Sequence, residues 1–342
     1  MGAAKYLAVV PPNEIAANLQ NAIQQEKSCA SGNEIRRLLM AVSIFHRALI
    51  GAMQHAPESL VWRFSKRYIA GSTLQDAYDT VRNLNNLGCK ATIDLLGEDS
   101  DSDERVNAAR DVYIEALNGI EPAGLDCNIS VKLSDMGLRL NASRCTDVVR
   151  ELASCAKDND NFVRIDMEDS SVTSVTLDVY RELRKNFDNV GVVLQSCLRR
   201  TEADVAELLQ GGPTNIRICK GIYIEPEAVA FQDADEIRNS YQQILQQLLE
   251  GGATRVGIAT HDPILINQAR ETIGKLGISR DRYEFQMLLG VAEHLRNELV
   301  QDGHPLRVYV PFGELWFKYS MRRLAENPNI AGHIVRNLFR RN

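Results

Sequence analysis

From about Cys89 onward, short apolar, β-branched runs alternate along the chain with longer stretches whose apolar residues recur every three or four positions. The short runs suit strands and the longer stretches suit amphipathic helices. The strand runs are ATIDLLG, NISVKLS, FVRIDME, VGVVLQS, NIRICKG, RVGIATHD, YEFQMLL and LRVYVPFG, with helical stretches such as DERVNAARDVYIEALNG, RCTDVVRELASCAKD and TEADVAELLQGG between them. Such units in series imply parallel strands joined by right-handed crossovers, and eight of them close a barrel. The alternative is a doubly wound open sheet, which usually has fewer strands and wants a glycine-rich phosphate turn after its first strand. That turn here reads LLGEDSDSDE, acidic with one glycine. The pattern therefore predicts an α/β protein with a (β/α)8 barrel of the TIM type.

Before the first run the pattern is helical. EIRRLLMAVSIFHRALIGAMQ and STLQDAYDTVRNLNNLG carry apolar residues at helical spacing, and the second stops at Gly88. Residues 1–87 are thus expected to form a helical N-terminal extension packed on a barrel of residues 88–327. Residues 328–342 form a short basic tail. The length of 342 residues exceeds the roughly 250 of a barrel by an amount that suits such additions.

The net charge of −6 argues against a general nucleic-acid binder, which would carry a basic face. Seven cysteines without a C-x-x-C pair suggest a reduced, intracellular protein. The histidines are scattered without H-E-x-x-H, so no metal site is expected. No apolar run reaches the length of about 20 residues that spans a bilayer. A cytoplasmic protein is expected, with at most peripheral contact to the inner face of the membrane through the basic tail.

Polar residues at the C-terminal ends of barrel strands point into the mouth, where such enzymes do their chemistry. Each predicted strand ends in such groups: Asp94 and Glu98, Lys132, Asp166 and Glu168, Gln195, Arg217 and Lys220, Thr260 and His261, Gln286, and Tyr309. Any one could be structural; Lys132, for example, could simply pair with Asp166. Charges in register near a core are costly unless paired or used. In GELWFKYSMRRLAEN, Tyr319, Arg322, Arg323 and Glu326 fall on one helical face, and an arginine pair suits a carboxylate. Two readings follow from these residues: a Schiff-base lyase or aldolase with Lys132 or Lys220 as nucleophile, or a non-enzymatic scaffold.

The motifs D-x-L-G-E (from Asp94), VKLS, RIDMED, VVLQSCL, RICKGIY, ATHD, EFQMLLG and YVPFGELWFKYSMRRLAEN, in this order from about Gly88 to Asn327, resemble those of the proline dehydrogenases. They are also similar to the catalytic domain of the bifunctional proline utilisation enzymes. The resemblance implies a distorted β/α barrel that holds FAD non-covalently, oxidises L-proline to Δ1-pyrroline-5-carboxylate and passes electrons to a quinone. It implies that Lys132, Arg322 and Arg323 meet the substrate carboxylate, and that Tyr223, Leu288, Tyr309 and Tyr319 enclose the ring. It further implies that Asp166 belongs to the polar network beside the substrate and flavin, and that Arg217 stands near flavin N5. By the same resemblance Gln195, Arg217, Lys220, Gly221, Thr260, His261 and Gln286 are expected to hold the cofactor, and Glu98 to pair with Arg323 as a gate. Departures are Phe312, where many relatives have Tyr, and Ile222 in KGIY, where KGAY is more usual. Tyr309 favours proline over hydroxyproline, since relatives preferring the latter tend to have a smaller residue there. Without an attached aldehyde dehydrogenase domain, the product is expected to pass to a separate pyrroline-5-carboxylate dehydrogenase.

Overall fold

The structure is a computed structural model that describes residues 62–63, 65–97, 99–317 and 319–320. Helix α1 (Leu74–Asn86) precedes the first strand. Strands and helices then alternate: β1 (Lys90–Leu95), α2 (Asp103–Ile120), β2 (Cys127–Val131), α3 (Ala142–Asp158), β3 (Val163–Ile165), α4 (Thr173–Arg184), β4 (Val190–Gln195) and α5 (Thr201–Gln210). The series continues with β5 (Asn215–Cys219), α6 (Ala234–Glu250), β6 (Arg255–Ala259), α7 (Pro263–Leu276), β7 (Tyr283–Leu288), α8 (Glu293–Gln301) and β8 (Leu306–Phe312). The strands form a closed parallel barrel in sequence order, and β1 closes on β8 from Lys90↔Arg307 to Leu95↔Phe312. The predicted strand runs and the barrel are thus present.

Residues 66–316 make one compact unit. Residues 1–65 and 317–342 group as another, of which Trp62, Arg63, Ser65, Phe317, Tyr319 and Ser320 are described. The predicted helix opening near Asn33 and the basic tail lie outside the described residues. Among the described residues no helix is long and apolar enough to cross a membrane.

Helix α1 shows how local signals become packing. Thr73 and Asp76 form a reciprocal capping box at its start. Its buried face, Ala77, Val81 and Leu84, packs over β8 and β1. The barrel seam is therefore covered by a helix that precedes β1.

The apolar core lies mainly between sheet and helices, with Ile93, Ile129, Val163, Ile216, Val256 and Phe285 fully buried. The alternate positions face the barrel axis and are polar well below the mouth, not only at the strand ends. At the floor, Arg307 donates to Glu284 (Nε to Oε1, 2.7 Å), and Arg255 lies 3.2 Å from the same carboxylate. Arg164 donates to the backbone carbonyls of Val192 (3.2 Å) and Asn215 (2.8 Å) and to the Asn215 side chain. Burial alone would raise the Glu284 carboxyl, but Arg307 and Arg255 bring it to about 2. Burial, reinforced by Arg217, pushes the Arg164 guanidinium down to about 9. Gly191 makes room for this layer: a Cβ there would collide with Arg164 and stand 2.6 Å from the Asn215 carbonyl oxygen. Gly257 does the same for Gln286 one layer higher, where a Cβ would stand 2.7 Å from Nε2.

Candidate active site

Above this floor a second polar layer forms at the C-terminal ends of the strands. Asp166, just past β3, is its centre. Its Oδ1 accepts from Ser130 Oγ (2.6 Å) and Arg217 Nη1 (2.8 Å), and its Oδ2 accepts from the Tyr309 hydroxyl (2.6 Å). Arg217 also donates through Nε to Gln286, and its Cζ lies 5.4 Å from the Tyr309 ring centroid. Four strands thereby converge: β2 brings Ser130, β5 Arg217, β7 Gln286 and β8 Tyr309. The ladder sets this, since Gln286 pairs with Arg307 and Leu288 with Tyr309 in the β7–β8 register.

Lys132 follows β2 and reaches Asp94 of β1 at 2.5 Å, with the Tyr309 hydroxyl at 3.5 Å. The ion pair is thus with Asp94, the neighbour across the β1–β2 seam, rather than with Asp166. The Asp94 side chain is 1% exposed and that of Lys132 23%. Burial pushes the Asp94 carboxyl up against the pull of Lys132. Burial would lower the Lys132 amine, but Asp94 and Asp166 outweigh it and hold the amine well above the ordinary lysine range. Lys132 is therefore an ammonium, the wrong state for a Schiff-base nucleophile and the right one for meeting a carboxylate. Burial, then Asp166 and Asp94, push the Tyr309 phenol well above its ordinary value, so it remains a neutral donor.

The rim beyond β4, β5 and β6 carries the next group. Gly221 has φ +101°, a left-handed conformation that favours glycine. A Cβ there would collide with Cys197 Sγ and stand 2.8 Å from Gln195 Oε1, so backbone and Gln195 approach closely. Gln195 donates to the Glu168 carbonyl (2.7 Å). Lys220 pairs with Asp262 (2.5 Å), which also takes Arg238 Nε (2.8 Å) and caps α7 by accepting from Ile264 N. Thr260 Oγ1 accepts from Asp262 N (3.1 Å). His261 Nε2 accepts from Leu288 N (2.8 Å), which leaves Nδ1 to carry the proton of the neutral ring. Tyr223, on the following loop, is 38% exposed.

The chain matches the family model described as proline dehydrogenase over residues 77–336. It is 37% identical to proline dehydrogenase 1 of Bacillus subtilis subsp. natto, over 81% of this chain and 91% of that protein. It is 34% identical to the proline dehydrogenase of Deinococcus radiodurans, over 82% and 91%. The chain belongs to the proline dehydrogenase family. Among solved structures, proline utilization A from Bdellovibrio bacteriovorus, inactivated by N-propargylglycine, superposes with a TM-score of 0.72 at 27% identity. The match covers 77% of this chain and 32% of that one.

In this proline dehydrogenase family member, Lys132, Asp166, Arg217, Gln286 and Tyr309 come together in one bonded cluster, while Gln195, Lys220, Gly221, Thr260 and His261 lie on the neighbouring strand ends. Glu98, Arg322 and Arg323 lie outside the described residues, and Tyr319 groups with the terminal unit. Sequence reasoning passed over Ser130, Asp262 and the floor residues Arg164, Glu284 and Arg307. A signal was available. Parallel strands covered on both faces usually read as continuous apolar runs, whereas VRID, NIRI and YEFQM alternate strictly.

Proposed function

We propose that this chain oxidises L-proline to Δ1-pyrroline-5-carboxylate, using FAD held non-covalently and passing the electrons to a quinone. The observation that carries the reading is the Lys132–Tyr309–Asp166–Arg217 cluster at the mouth of a barrel in the proline dehydrogenase family. The donor set suits the cofactor: two cations, Arg217 and Lys220, a neutral histidine with its proton on Nδ1, and a glycine where a side chain would block close approach. Gln195, Arg217, Lys220, Gly221, Thr260, His261 and Gln286 are the residues assigned to hold it. FAD, when bound, supplies the hydride acceptor at N5.

The chain's own residues bind and orient. Lys132, with Arg322 and Arg323, fixes the substrate carboxylate, which positions the ring for reaction. Tyr223, Leu288, Tyr309 and Tyr319 enclose that ring and exclude water. Asp166 takes three donors and so holds Tyr309 and Arg217 in place. Arg217 offers a fixed positive charge where negative charge develops. Glu98 and Arg323 form the gate. A separate dehydrogenase takes the pyrroline product, and the basic tail supplies any peripheral membrane contact.

The test is a visible absorption spectrum of the purified protein before and after anaerobic addition of L-proline. A yellow protein that bleaches with proline is expected. A colourless protein that cannot be reconstituted with FAD would end the reading.

A further inference from the structure

We propose that Glu284, at the barrel floor, is a positioning residue for Arg217 and acts through the amide of Gln286. The proposal rests on the function proposed above. Glu284 and Gln286 are two residues apart on β7 and share its inward face. Gln286 Nε2 donates to Glu284 Oε1 (2.6 Å), and Gln286 Oε1 accepts from Arg217 Nε. A carboxylate only accepts and a guanidinium only donates. The amide held between them therefore has one orientation. It has little room to swing away, because even a Cβ on Gly257 would stand 2.7 Å from Nε2. With Nε fixed by Gln286 and Nη1 by Asp166, Arg217 is locked in one rotamer over Tyr309. Arg307 and Arg255 keep Glu284 ionised, so the acceptor persists across the working pH range.

The isosteric change Glu284→Gln shows why the charge matters. Oε1 faces two donors, Arg307 Nε and Gln286 Nε2. Oε2 also faces two, Arg307 Nη2 (3.3 Å) and Arg255 Nη2 (3.2 Å). An amide must turn its NH2 toward one of these pairs. If it faces Gln286, that amide turns over and aims its own NH2 at Arg217. On the Oε2 side the NH2 would meet only guanidinium donors, whereas Gln286 can turn over and accept, so the NH2 faces Gln286. Arg217 Nε then loses its acceptor and with it one of its two anchors.

The experiment uses the FAD-loaded full chain and compares wild type with Glu284→Gln, Gln286→Met, the double variant and Arg217→Met. The flavin midpoint potential and the steady-state constants are measured for each. Glu284→Gln is expected to shift the potential by about 30 mV in the negative direction, equivalent to a tenfold loss of preference for the reduced form. It should lower kcat about tenfold while KM for proline stays within about twofold. In the Gln286→Met background, Glu284→Gln should add nothing further to the potential, the signature of one residue acting through another. An additive shift, or an unchanged potential in Glu284→Gln when Arg217→Met does shift it, overturns the proposal. An unchanged potential in Arg217→Met overturns instead the reading on which the proposal stands. Should Glu284→Gln fail to fold, the paired change Glu284→Leu with Arg307→Met removes both charges together and is expected to give the same shift.

Discussion

Gly191→Ala tests whether the polar floor is as tightly built as its geometry indicates. A Cβ at Gly191 would collide with Arg164 Nη1 and stand 2.6 Å from the Asn215 carbonyl oxygen and 2.7 Å from Phe162 Cζ. The backbone oxygen belongs to a ladder strand and yields little, so the guanidinium must move. Overpacking of this kind costs about 1–3 kcal/mol. Displacing Arg164 from one buried carbonyl costs about 2 kcal/mol more, as expected for a charged donor left unpaired. The reduced freedom of the unfolded chain returns about 0.4–1 kcal/mol. The net loss is about 3 kcal/mol, which lowers Tm by roughly 5–10 °C for a domain of this size. Gly274→Ala is the control: nothing among the described residues lies within 4 Å of a Cβ there, and in the interior of α7 the change should stabilise by about 0.5–1 kcal/mol. Thermal melts followed by circular dichroism read both. A Gly191→Ala protein melting within about 2 °C of wild type would show that Arg164 has slack, and the argument for a rigid floor would fail.

Three further outcomes are expected. Arg322→Lys should raise KM for proline at least about tenfold, because an ammonium cannot replace a bidentate fork; steady-state kinetics with an unchanged KM would remove Arg322 from the carboxylate site. Gly221→Ala should weaken FAD binding about tenfold or more, since its φ of +101° and the nearby Cys197 and Gln195 leave no place for a methyl group; an unaltered flavin fluorescence titration would refute this. Asp135 is 4% exposed, and its Oδ1 has no hydrogen-bond partner among the described residues. Burial, with Asp94, Glu168 and Asp99 adding to it and Lys132 opposing, pushes its carboxyl up to about 8. Between the ordinary carboxylate range and pH 8 the folded chain thus holds a proton that the unfolded chain has released, so stability falls as pH rises through that window and levels off above it. Asp135→Asn should remove this loss and stabilise by about 2–4 kcal/mol more at pH 8.5 than at pH 5; melts showing the same gain at both pH values would contradict it.

The sequence by itself determined the barrel. Strand runs with helical stretches between them leave few ways to bury all the apolar faces, and the capping signals at Thr73 and Asp262 mark helix starts locally. It also placed Lys132, Asp166, Arg217, Gln286 and Tyr309 near the mouth, because a strand end is a position along the chain. Only the tertiary structure decided which of these groups touch. The preference of Lys132 for Asp94 over Asp166, and the bonds joining Tyr309 and Arg217 to Asp166, depend on strand register and closure, which bring Tyr309 to Asp166 across 143 positions of chain. The polar floor belongs to the same class. The alternation in YEFQM is a local pattern, but whether Glu284 faces a helix or the barrel axis, and which arginines meet it there, is fixed only when the sheet closes.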